Sequence, residues 1–177
     1  MTASIAILPG ALPRSPRMTL PSQARVMILE LVCDFATTGS TVYELGHTIE
    51  ELLPALHARM ARHVRLPSFD SGASIQDACA AILVGSSLQV HPLRRPQLLA
   101  NIYRGLNAGG CALMVEVVRS RDSMLNNLFS LHAHETSAMM QMAGTLDDEV
   151  ALVRQCGFRS AEIFYRHYGL CGLIAIK

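Results

Sequence analysis

Charge is scarce in this chain. Asp, Glu, Lys and Arg make up 16% of the residues and leave a formal net charge of +1. Such a balance gives no reason to expect nucleic acid or an acidic membrane surface as a partner. Long apolar runs are missing too. Nothing approaches the roughly 20 residues needed to span a bilayer, and Ala78 to Val84 is only a strand's length. The five cysteines, Cys33, Cys79, Cys111, Cys156 and Cys171, are odd in number and include no Cys-x-x-Cys pair. That excludes a disulfide framework and a zinc site, and leaves free buried thiols in a reducing compartment. The apolar first dozen residues have no basic residue before them and are broken by Pro9, Gly10 and Pro13, unlike a signal peptide. Cytoplasm is the expected location.

What is present is apolar. Half of the 177 residues are hydrophobic, enough for one domain with its own core. The organising stretch is Ser40-Thr41-Val42-Tyr43-Glu44-Leu45-Gly46-His47-Thr48. It is a short β-branched and aromatic run that ends in an acid, a glycine and a helix start. Thr48 and Glu51 have capping-box spacing, and Ile49, Leu52, Leu53, Leu56 and Met60 follow as one helix face. Strand, acid, glycine turn and helix make the first half of a βα nucleotide-binding unit.

Before this unit, Pro9, Pro13 and Pro16 predict an irregular arm over residues 1–20, either loose or laid over a ligand site by Arg14 and Arg17. Residues 22–36 should be a helix with Val26, Leu29, Val32 and Cys33 inward. After it, Pro54 should kink the second helix, which runs out near Arg62, and His63 to Leu66 is a candidate short strand. Ala80 to Gly85 lacks alternation, as in a parallel strand covered on both faces. A helix from Pro96 closes at Gly105–Gly110, and Ala112 to Val118 is the next buried strand. A long helix over 121–142, a shorter one over 146–155 and two antiparallel strands, 159–165 and 169–176, complete the chain. Strands alternating with helices predict a mostly parallel three-layer α/β sandwich closed by an antiparallel hairpin.

That order resembles a class I S-adenosylmethionine-dependent methyltransferase, from about residue 10 onward, with residues 21–177 as the domain. Three segments carry the resemblance: Val42-Tyr43-Glu44-Leu45-Gly46, Ile102 to Gly110 ahead of a hydrophobic strand, and Gln155-Cys156-Gly157-Phe158 before the hairpin. Among subfamilies the chain is most similar to the carboxy-S-adenosylmethionine synthase branch, through Arg14-Ser15-Pro16, Ser87-Leu88-Gln89-Val90 and Phe129-Ser130-Leu131-His132. Two departures stand out. His47, Thr48 and Ile49 replace the second and third glycines of the cofactor turn. Between Met60 and Ile75 about 14 residues stand where the family has a strand, a helix and a further strand.

The resemblance implies S-adenosylmethionine as cofactor, with contacts carried onto Glu44, Gly46, Asp70, Gly85 and Ser86. The degenerate turn and the lost ribose acid predict weak or absent binding. His47, at the top of the sheet, is either a base or ligand contact or a plug in a pocket that lost its cofactor. Glu44 is likewise either live or a vestige, and His91 either lines the cleft or sits in a loop. His132 and His134 lie two apart on a helix, about 200° around it, so they do not suit one metal ion. Met139, Met140 and Met142 suit core filling or a contact surface. No metal site is expected. Two functions remain open: an enzyme acting on a small molecule in a remodelled cleft, and a non-catalytic pseudo-methyltransferase serving as partner or scaffold. The shortening further predicts that Thr41 to Leu45 is an edge or near-edge strand, covered at best by the short His63 to Leu66 segment, and hence a homodimer or hetero-complex that buries the surface beside it.

Overall fold

A computed structural model describes residues 20–46, 48–69, 74–132 and 143–177. The predicted arm (apart from Leu20), His47, Asp70, His134 and the Met139–Met142 cluster lie outside the described residues. Six strands form one sheet: β1 (Thr41–Gly46), β2 (Arg62–Leu66), β3 (Ala78–Val84), β4 (Leu106–Val117), β5 (Ser160–His167) and β6 (Leu170–Ile176), in the order β2-β1-β3-β4-β6-β5. The first four are parallel, while β6 runs antiparallel to both β4 and β5.

Helices cover both faces. On one side, α1 (Ser22–Phe35) and α2 (Leu52–Ala58) pack against Val42, Ile82, Leu113 and Val115, with Phe129 of α5 (Ser123–His132) beside them. On the other, α4 (Arg95–Gly105) and α6 (Leu146–Gln155) cover Leu45, Leu83, Met114 and Leu173. A short helix, α3 (Ser86–Gln89), follows β3. The three-layer sandwich is therefore the one expected, and β3 and the Cys111–Val115 part of β4 are buried on both faces because their residues are continuously apolar. All five cysteines are free, and burial pushes the Cys171 thiol up to about 11.

Several local expectations are corrected. The buried stripe of α1 is Ala24, Ile28 and Val32, whereas Val26 faces solvent. No Thr48–Glu51 capping box forms. Helix α2 starts only at Leu52, and Glu51 instead accepts a hydrogen bond from Arg25 Nη1 at 3.0 Å. Consequently Ile49, Leu52 and Leu56 are buried, but Leu53 and Met60 are 58% and 69% exposed. Pro54 falls in the first turn of α2, where its missing N–H costs nothing. The helix stops at Ala58, and Met60 turns the chain with φ 55°. The turn expected over 105–110 is largely strand, since β4 starts at Leu106.

The largest correction concerns the sheet edge. β2 pairs with β1 from Thr41↔Arg62 to Leu45↔Leu66, and β3 flanks β1 on the other side. β1 is therefore one strand in from the edge, covered by the short segment expected there; it is near-edge, and the premise of an exposed first strand falls. The second strand has been kept; the shortening lies between β2 and β3, where the described residues contain no further strand and no long helix.

Candidate functional site

Open parallel sheets offer their ligand crevice beyond the carboxyl ends of the strands, where strand order reverses. Here that point lies between β1 and β3, and it gathers Glu44 and Gly46 from β1 with Gly85 and Ser86 from the β3–α3 turn. Gly46 and Gly85 both have left-handed backbones, φ 78° and 71°, which glycine adopts without strain. These four residues thus lie at one end of the sheet. His91 is elsewhere in character. It is exposed, and its Nδ1 accepts the Leu93 N–H at 3.3 Å, capping the 3-10 turn Pro92–Arg94.

Several polar groups at this end are engaged by the chain itself. Glu44, 1% exposed, accepts the Ile49 N–H on Oε1 at 2.6 Å, which closes the β1–α2 turn in place of the missing capping box. Its Oε2 lies 3.2 Å from His63 Nε2 of β2, off the angle that a hydrogen bond requires. Gly46 faces Phe69. A Cβ at Gly46 would stand 2.4 Å from Phe69 Cζ, so the buried ring occupies the close approach that this glycine permits. Among the described residues, the space that the turn's one glycine leaves open in its Cβ direction is filled by an aromatic side chain.

Beside it lies a buried ionic cluster that sequence reasoning missed. Glu116, near the end of β4, accepts hydrogen bonds from the Ser86 hydroxyl and, at 2.8 Å, from the Ser87 N–H. Arg95, at the start of α4, donates to both Glu149 oxygens at 2.8 and 2.7 Å, and its Nη2 stands 3.8 Å from Glu116 Oε1. All three charged side chains are buried. Thr145 and Asp148 form the capping box that fixes α6 and hence Glu149. The available signal was Glu116 itself: a lone acid inside the run Leu113 to Val118 requires a buried cation.

Two carboxylates share one arginine here. Burial raises the Glu116 carboxyl above its ordinary range, with Arg95 opposing the shift. A folded-state value above the unfolded one means that the folded chain holds this proton to higher pH, so stability falls as pH rises across that interval. Glu116→Gln cannot ionise. Urea unfolding should therefore show the wild type losing stability relative to Glu116→Gln from acid to neutral pH; a difference independent of pH would contradict this.

A second concavity, of about 550 Å³, opens at the opposite end of the sheet between Gln76, Asp77, Asn101, Arg104 and Asn107. It shares no residue with the β1–β3 crevice. Among the described residues no group of acids, histidines or cysteines could hold a metal ion, and no helix is long and apolar enough to cross a membrane.

No family model matches the chain. Curated relatives and solved structures do. A carboxy-S-adenosyl-L-methionine synthase of Methylococcus capsulatus is 25% identical over 199 residues, covering 85% of this chain and 82% of the relative. That of Citrobacter koseri is 25% identical over 59% of this chain and 49% of its own length. Among structures, the pyocyanin biosynthetic protein PhzM superposes with a TM-score of 0.61 at 18% identity over 88% of this chain. PigF with SAH superposes with a TM-score of 0.54 at 16% identity over 78% of it. The chain has the class I methyltransferase fold. It spans about half the length of the Citrobacter relative and of these two structures.

Proposed function

We propose that this chain is a methyltransferase-fold protein without methyl transfer of its own, acting as a partner or scaffold subunit. The observation that carries the reading is the Phe69 ring seated on Gly46. Glu44 closing its own turn through Ile49, and Ser86 and Ser87 holding Glu116, support it further. Binding of S-adenosylmethionine would have to displace an aromatic ring from the core and break buried hydrogen bonds, each worth about 1.5–3 kcal/mol where a charged group takes part.

A second reading rests on two atoms. Glu44 Oε2 and Ser87 Oγ are buried without a hydrogen-bond partner at neighbouring strand ends, and together with the synthase relatives they favour a remodelled cleft that takes a small molecule. Thermal unfolding with millimolar S-adenosylmethionine or S-adenosylhomocysteine separates the two. A ligand with micromolar affinity would stabilise the fold by about 4 kcal/mol at a thousandfold excess over Kd. The pseudo-enzyme reading predicts no shift in Tm; a rise of several degrees would overturn it.

A further inference from the structure

We propose that the outer edge of β2 is a docking strand for an extended, acidic segment of another protein. The inference holds whether or not the crevice takes a cofactor. The Arg62 N–H bonds to the Ser40 carbonyl at 2.7 Å on the β1 side. In a parallel pair successive residues alternate, so Arg62, Val64 and Leu66 turn their main-chain groups to β1 while His63 and Arg65 turn theirs outward. Among the described residues neither outward residue has a strand partner.

The side chains select the partner. Arg62 and Arg65 are exposed on β2, and Arg59 and His57 are exposed just before it. No described carboxylate pairs with any of these three arginines, since Glu51 is held by Arg25 and Glu44 is buried against Ile49. A chain of net charge +1 thus concentrates unpaired positive charge along one edge. Exposed Met60 offers an apolar contact at the start of the strand. A second copy of β2 would set arginine against arginine, and like charges on paired strands destabilise. An acidic strand meets the same groups favourably, with main-chain pairing at His63 and Arg65 and carboxylates on Arg62 and Arg65. Pro67 ends the run, so the contact is short and sensitive to salt.

The probe is a short fluorescein-labelled peptide of threonine with glutamates three residues apart, so that its carboxylates reach both faces of the strand as Arg62 and Arg65 do, followed by anisotropy at low ionic strength with the full chain. Saturable binding is expected, lost on adding salt and absent for the lysine–threonine peptide. It should weaken by about tenfold or more with R62E/R65E, and also when the peptide backbone is N-methylated. Circular dichroism checks that the variant folds, and R62A/R65A replaces it if it does not. No binding, equal binding by the arginine variants, or equal binding of the N-methylated peptide would each overturn the proposal.

Discussion

Arg95→Met should cost this protein about 3–5 kcal/mol, because it leaves Glu116 and Glu149 buried without their shared cation. In a domain of this size that lowers Tm by roughly 6–20 °C. The double variant Arg95→Met with Glu149→Leu should lose much less. Its remaining acid, Glu116, keeps the Ser86 and Ser87 hydrogen bonds, and apolar side chains can replace a buried ion pair at little cost. Thermal and urea unfolding of both variants measures the difference. If the single and double variants are equally stable, Arg95 and Glu149 are not coupled, and the cluster does not hold α4, α6 and β4 together.

Gly46→Ala is expected to cost about 2–4 kcal/mol, adding left-handed strain to an overpacked contact. The backbone at Gly46 has φ 78°, and the new methyl would fall 2.4 Å from Phe69 Cζ. The two contributions can be separated. Phe69→Ala removes the ring, so Gly46→Ala in that background should show only the backbone cost, a coupling of about 1–2 kcal/mol. Equal cost in both backgrounds would mean that Phe69 does not fill the glycine's approach space.

Much of this architecture was legible because it rests on hydrophobic runs. Ala78 to Val84 and the greater part of β4 are apolar without alternation, and the sheet buries both their faces. Helix α6 carries its capping residues in sequence, Thr145 and Asp148, and it begins where they indicate. The second helix was misread because Thr48 and Glu51 have the right spacing but different partners. The buried Glu44 carboxylate takes the Ile49 N–H, and Arg25, from a separate helix, takes Glu51. Tertiary charge pairing of this kind leaves no local pattern.

The candidate site divides in the same way. Glu44, Gly46, Gly85 and Ser86 could be placed at the strand ends because glycines and acids there mark the crevice of any such sheet. Phe69 was not found. It follows a short strand in a proline-containing segment, and nothing local says that its ring returns to Gly46. Arg95, Glu116 and Glu149 come from three separate elements, and only the lone acid in an apolar strand hinted at them. The edge of the sheet was legible only as an alternative, for a related reason. Five residues, Arg62 to Leu66, suffice for a strand once β1 offers its free side, although their own pattern is weak.

The most direct test of the central claim is a crystal structure determined after soaking with S-adenosylhomocysteine at millimolar concentration. The predicted result is no nucleoside density beyond the carboxyl ends of β1 and β3, with the Phe69 ring still against Gly46 and Glu44 still bonded to the Ile49 N–H. A nucleoside bound there, with Phe69 displaced and its ribose or amine on Glu44, would contradict it.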